Sequence, residues 1–394
     1  MSELPNKPQL KPDVFNQAEK RDRVWLHVLL FVLTLVSTTL SYALWVGSGA
    51  GGWSDLLKMP FLSQAIWFSV PLLLFLTVHE FGHYFAARLH HVSTTLPYYI
   101  PLPFLGIGTL GAVIRIREPI PSLTKLFDIG AAGPIAGFVA VFIMLIVSLA
   151  TLPDVNYVES FEGHDALKEY VAQNGEFPPE LIREEGAGPG QVFYVGETVL
   201  YVAVAHFFDN VPPMYEMYHY PFLFASWLGL FFTALNLLPV GQLDGGHVLF
   251  ALVGPRWHLR IARSFMFLLL LSGAIGYGMM ATDDGWMGAF KWPILAAILY
   301  LILNRAFGRD QSIVAPSLVA LLAASFAVNT WLPGVAVYGH GAWLMWGFIL
   351  SFLLGVEHPP VLYSEPLTPG RRALALLSFV IFILCFSIRP FYYV

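Results

Sequence analysis

Residues 64–90 read QAIWFSVPLLLFLTVHEFGHYFAARLH, an apolar run long enough to cross the roughly 30 Å hydrocarbon core of a bilayer as one helix. Three ionisable residues, His79, Glu80 and His83, interrupt it near its end. Composition decides that the run faces lipid. Hydrophobic residues make up 57% of the 394 and charged residues 12%, whereas soluble domains carry about 25% charged residues. Working outward, further apolar runs bounded by charges, prolines and glycines fall at 24–47, 126–151, 220–242, 264–281, 290–304, 313–331, 342–356 and 372–389. Together they predict an all-α polytopic membrane protein with about nine transmembrane helices.

Orientation follows from the cations. Lys7, Lys11, Lys20, Arg21 and Arg23 precede the first run, so the positive-inside rule puts the N-terminus in the cytoplasm. Alternation then brings Arg88, Arg115, Arg117 and Lys125 to the same side, with Arg256, Arg260, Arg263, Arg305, Arg309, Arg371 and Arg372. The tail at 1–23 is polar and has no signal-peptide core, so the first run is expected to remain as a span. Cys385 is the sole cysteine, which excludes an intrachain disulfide. No basic cluster resembles a nucleic-acid footprint, and nucleic acid is not an expected partner.

Two segments do not read as spans. Residues 152–219 carry twelve acidic residues against two basic ones; alternation puts them outside, as a solvated lobe or as a filter guarding access to the site. Residues 95–121, TLPYYIPLPFLGIGTLGAVIRIREPIP, hold prolines at 97, 101 and 103 and glycines at 106, 108 and 111, which break helices. Their β-branched, extended character predicts a short membrane-embedded β-hairpin or re-entrant loop. Peptide groups at that depth need a protein partner or a cavity, so this loop is expected to form a cavity wall.

The chemistry gathers on His79-Glu80-Phe81-Gly82-His83. Four residues at 100° each bring His83 within roughly 40° of His79 on one helical face, one turn along. Both imidazoles can therefore bind one tetrahedral zinc, with Glu80 beside them as a proton acceptor that does not ligate. The bland alternative is a hydrogen-bonded cluster gluing helices together. A catalytic zinc needs a third ligand and an open position. Asp244, in NLLPVGQLDGG at 236–246, ends a run heading to the same side and is the best candidate. Two neutral imidazoles, the Asp244 and Glu80 carboxylates and one Zn²⁺ sum to zero charge, which a low-dielectric site favours. A turn carboxylate is the plain alternative for Asp244, and His247 is the runner-up ligand. The histidines at 90, 91, 206, 219, 340 and 358 lack metal spacing and read as ordinary polar surface or interface.

HEFGH and NLLPVGQLDGG, in this order on converging runs, resemble the paired motifs of the site-2 protease family of intramembrane zinc metalloproteases, peptidase family M50. FDIGAAGPIAGF at 127–138 also resembles that family's span after its membrane-embedded loop. The resemblance covers roughly residues 64–250 and is nearest the branch of plastid metalloproteases and their bacterial relatives. It implies one Zn²⁺ per chain on His79, His83 and Asp244, with Glu80 as the catalytic base. It also implies an asparagine, Asn236, near the substrate and a sheet-like loop at 98–117 beside the site, where Gly108 and Gly111 are read as substrate-binding positions. The implied reaction is hydrolysis of peptide bonds in or near the transmembrane helices of membrane-protein substrates. The implied setting is multi-pass in a lipid bilayer, expected to be a bacterial cytoplasmic (inner) membrane. Many members carry a PDZ domain between the two motifs; residues 152–219 are too short and too poor in strand pattern for one.

The expected organisation is a cytoplasmic tail at 1–23, a first span with its external loop at 24–63, a catalytic core at 64–263 and accessory helices at 264–394. The competing class is a multispan transporter or metal-ion carrier using the same His/Glu/Asp cluster. Transporters commonly show paired broken helices in two related halves, and no partner for HEFGH is found beyond residue 264.

Overall fold

The computed structural model describes residues 22–46, 59–103, 106–161, 163–182, 192–280, 285–359, 361, 363 and 365–394. The expected N-terminal tail lies outside the described residues apart from Asp22 and Arg23. In chain order the elements are α1 (Val24–Val46), α2 (Met59–Leu89), β1 (Tyr98–Pro101), β2 (Thr109–Val113), α3 (Leu123–Ala150), α4 (Asp165–Asn174), β3 (Phe193–Val195), α5 (Val199–Ala205), α6 (Pro221–Asn236), α7 (Asp244–Met280), α8 (Gly285–Ala306), α9 (Gln311–Trp331), α10 (Ala342–Ile349), α11 (Pro369–Cys385) and β4 (Phe391–Tyr393). Each apolar run read from the sequence falls on a helix. Among the described residues, five helices are long and apolar enough to cross a membrane: Val24–Val46, Leu62–Leu89, Leu123–Ala150, Asp244–Met279 and Gln311–Trp331.

α1 shows how these helices suit lipid. Its outward face carries Val24, Trp25, Val28, Leu29, Val32, Leu33 and Val36, all exposed, while Thr34, Ser37, Thr38, Ser41 and Tyr42 are buried. That is the reverse of a water-soluble helix. With lipid as apolar as leucine, packing favours small and hydrogen-bonding residues inside, and the Thr39 hydroxyl duly reaches Ser69 Oγ on α2 at 3.0 Å.

Two boundaries differ from expectation. The run at 220–242 is helical only to Asn236, because Pro239 cannot continue the helix and Gly241 adopts φ 58°. The run at 264–281 belongs to a helix that starts at Asp244, broken at Gly254 (φ 77°, ψ 173°) and resumed at Pro255. Gly-Pro reads as a terminator; here the glycine absorbs the break and the proline opens the next segment, where its missing N–H is not needed.

The core lies where α2, α3 and α6 pack side by side, with Phe75, Val141, Leu145, Phe224 and Leu228 fully or almost fully buried. β1 and β2 form an antiparallel hairpin, pairing Tyr98 with Val113 and Tyr99 with Ala112, against α1 and α2. The segment expected as an external lobe folds into α4, α5, β3 and two single turns at Val155–Ser160 and Met217–His219. β3 pairs with β4 at the far end of the chain, Phe193 opposite Tyr393, a contact the sequence reading did not anticipate.

Candidate metal centre

His79 and His83 lie on one face of α2, as the four-residue spacing requires, and both are buried. Their Nε2 atoms are 3.1 Å apart. Asp244 Oδ2 stands 3.3 Å from His79 Nε2 and 3.2 Å from His83 Nε2. The three donors thus form a nearly equilateral triangle. A tetrahedral set with metal–ligand bonds of about 2.0–2.1 Å spaces its donors roughly 3.3–3.4 Å apart, so these atoms fit a single zinc-sized ion as they stand.

Neighbouring helices build the triangle. His83 Nδ1 donates to the Ile129 carbonyl of α3 at 2.7 Å; this fixes the tautomer and leaves Nε2 with its lone pair toward the cluster. The chain can come this close because of Gly133: a Cβ there would lie 2.0 Å from His83 Nε2. The glycines read at 127–138 are therefore the seat of the HEFGH helix. Asp244 is the first residue of α7, and the glycine that follows has an equally local reason. A Cβ on Gly245 would meet the Leu237 carbonyl oxygen at 2.1 Å, so only a bare backbone lets residues 237–243 curl over the start of α7 and aim Asp244 at α2.

Glu80 is buried beside the triangle, where its carboxylate faces the Ile114 backbone N–H, just past β2. The hairpin is held there by Thr77, whose hydroxyl is 2.7 Å from Tyr99 Oη. Asn236, the last residue of α6, turns Nδ2 to within 3.4 Å of His79 Nε2. Five side chains from α2, α6 and α7 and one strand end from the hairpin thus meet at one point.

Other sequence candidates fall elsewhere. Gly108 (φ 83°) is pressed on α1, its carbonyl accepting from Ser37 Oγ at 2.7 Å, and Gly111 (φ 97°) has open space around its α-carbon. Both shape the hairpin through their positive φ. His247 turns away to a 2.7 Å contact with His358 Nε2. Arg117 pairs with Asp22. Asp128, inside FDIGAAGPIAGF, takes a bidentate pair from Arg371 at 2.8 Å and a 2.8 Å contact from His90, while Lys125 Nζ donates to the His90 carbonyl. The ends of α2, α3 and α11 are latched together there.

Two of the histidines read as polar surface or interface, His219 and His340, are buried. His219 lies with His164 and Glu216, their candidate ligand atoms within 4.8 Å of one another. The Glu216-x-x-His219 spacing was the available signal.

Residues 67–273 match the family model for peptidase family M50. The chain is 28% identical over 222 residues to the probable zinc metalloprotease EGY2, chloroplastic, of Oryza sativa subsp. indica, covering 56% of this chain and 34% of that protein. It is 30% identical over 194 residues to the probable zinc metalloprotease EGY1, chloroplastic, of Arabidopsis thaliana, covering 48% of this chain and 30% of that protein. The matched stretch spans about a third of the length of these relatives. No solved structure matches the chain.

Proposed function

Because the chain belongs to peptidase family M50, we propose that it is an intramembrane zinc metalloendopeptidase, cutting membrane proteins in or near their transmembrane helices. The observation that carries the reading is the donor triangle of His79, His83 and Asp244 with edges of 3.1, 3.2 and 3.3 Å, buried among apolar helices and flanked by Glu80. These three residues would hold one Zn²⁺. Bound there, zinc supplies Lewis acidity, polarising a carbonyl and bringing the pKa of water down to about 7.

The protein's own groups do the rest. Glu80 takes a proton from the attacking water and returns it to the amide nitrogen as the C–N bond breaks, giving a carboxylate and an amine. The Ile114 N–H holds the Glu80 carboxylate beside the ligand face. Asn236 Nδ2 is a donor to the developing oxyanion or to the substrate backbone. A helical substrate hides its peptide bonds, so it must unwind before attack. The outer edge of β2, which has no strand partner among the described residues, offers an unwound segment backbone hydrogen bonds.

On this reading residues 64–263 form the catalytic core and 264–394 the accessory helices, with the hairpin re-entrant and the shorter helices completing about nine spans. The cytoplasmic N-terminus is supported by the joining of His90, Lys125 and Arg371 at one end of the bundle. The bacterial cytoplasmic membrane rests on the sequence reading alone, since the similar proteins are named chloroplastic.

The test is cleavage of a model transmembrane helix by the reconstituted chain and by Glu80→Gln. The variant should keep its zinc and lose cleavage by about 10²–10⁴-fold, the usual worth of a positioned acid–base group. Undiminished cleavage removes Glu80 from its role, and metal-dependent transport without cleavage favours the carrier.

A further inference from the structure

A second group of metal-ligating side chains lies at the other end of α6. His164 caps the start of α4, and Glu216 and His219 occupy the turn that leads into α6. His219 Nε2 is 3.2 Å from His164 Nε2 and 3.7 Å from Glu216 Oε2, and His164 Nδ1 is 3.2 Å from Glu216 Oε1. Glu216 is 3% exposed and His219 7%. These contacts run through both ring nitrogens of His164 and both carboxylate oxygens of Glu216; taking one ligand atom from each residue, the three donors lie within 4.8 Å of one another, so small side-chain rotations bring them to the donor separation of a tetrahedral zinc site. They also repeat the motif-bearing cluster: the ring centroids stand 4.9 Å apart at 89° here and 4.8 Å apart at 74° there.

We propose that His164, Glu216 and His219 form a second metal site, taking one Zn²⁺ that clamps the acidic lobe to the start of α6.

The set of two imidazoles and one carboxylate is the donor chemistry of zinc rather than of calcium or magnesium, which take oxygen ligands. The ring planes are fixed before any ion arrives. His219 is stacked on Phe161 at 4.2 Å and 16°, with Tyr218 at 4.1 Å. His164 sits in the left-handed region (φ 58°, ψ 33°) and makes no side-chain cap to its own helix. A β-carbon residue held there, with its ring turned from the helix end to Glu216, is built for the cluster and not for the cap. A hydrogen-bonded His–His–Glu relay would use the same side chains without a metal, and ion counting separates the two. Position gives the ion its consequence. α6 starts two residues after His219 and ends, roughly 24 Å away at 1.5 Å per residue, on Asn236 beside His79.

The experiment is a zinc count by mass spectrometry on the full chain, free of affinity tags, in detergent and equilibrated with zinc before exhaustive buffer exchange. The parent should hold two ions, Glu216→Gln and His219→Ala one each, and His79→Ala/His83→Ala one. The last variant leaves the lobe untouched, so it decides the matter even if the lobe variants fail to fold. One ion in the parent and none in His79→Ala/His83→Ala overturns the proposal while leaving the motif-bearing site standing. Two ions retained in a folded His219→Ala mark the second as adventitious and overturn it equally. One ion in the parent, kept by His79→Ala/His83→Ala and lost in Glu216→Gln, supports the lobe site and removes the other.

Discussion

The two His/His/carboxylate clusters hold similar donors in unlike settings, and the difference separates chemistry from architecture. One sits on the regular helix α2, among apolar spans, with Glu80 and Asn236 beside it and a strand end at its edge. The other is assembled from a cap and a turn, and aromatic rings surround it: Phe161, Tyr218 and Tyr220. On the proposed function, a proton carrier and a hydrogen-bond donor next to a ligand triangle make a reaction centre. On the further proposal, stacked rings beside the lobe cluster make a clamp.

The comparison breaks most readily at Gly133. An alanine there drives its methyl into His83 Nε2, 2.0 Å away, and a ligand displaced by about 1 Å costs on the order of 10²-fold in rate. Gly133→Ala should lose cleavage and one zinc equivalent while the lobe ion stays, as read by metal counting alongside the cleavage assay. Loss of both ions would instead mean that the two sites fold as a unit.

Metal removal sharpens the other side. An ion present at about 100 times its dissociation constant stabilises the folded state by about 2.7 kcal/mol. Chelation should therefore lower the melting midpoint of His79→Ala/His83→Ala, which keeps the lobe ion, and leave that of the same variant carrying Glu216→Gln unmoved. Equal responses would deny the lobe its clamp.

Smaller effects test what surrounds the first cluster. Gly108→Ala places a Cβ 2.5 Å from the Ser37 carbonyl at a positive φ, shifting the hairpin and so the Ile114 N–H at Glu80; cleavage should fall by about tenfold with zinc unchanged. A reduced zinc content in that variant would show that the hairpin supports the metal and not the carboxylate. Arg371→Ala removes a partly exposed bidentate pair with Asp128 and should cost about 1 kcal/mol or less in thermal stability, with both ions retained.

What the sequence made legible follows the same division. HEFGH could be read because an α-helix fixes which side chains share a face, and Asp244 of NLLPVGQLDGG because the run before it heads to the same side of the bundle, although the helix that starts at Asp244 was not foreseen. The helices could be read because lipid demands long apolar runs. The lobe cluster could not, since His164 reaches Glu216 and His219 through a left-handed cap that no periodicity announces. Pairing of Phe193–Val195 with Phe391–Tyr393 was hidden for a like reason: strands of three residues carry too little pattern to show their partners. Gly108 and Gly111, read as substrate-binding positions, adopt positive φ in the hairpin, a backbone demand that spacing alone did not reveal.

The central claim is tested most directly by crystals of the zinc-loaded protein measured at the zinc absorption edge. The account predicts an anomalous peak within about 2.0–2.2 Å of His79 Nε2, His83 Nε2 and an Asp244 oxygen, with Glu80 close by but outside bonding distance. A peak liganded elsewhere, or none between those three side chains in protein that cleaves, would contradict it.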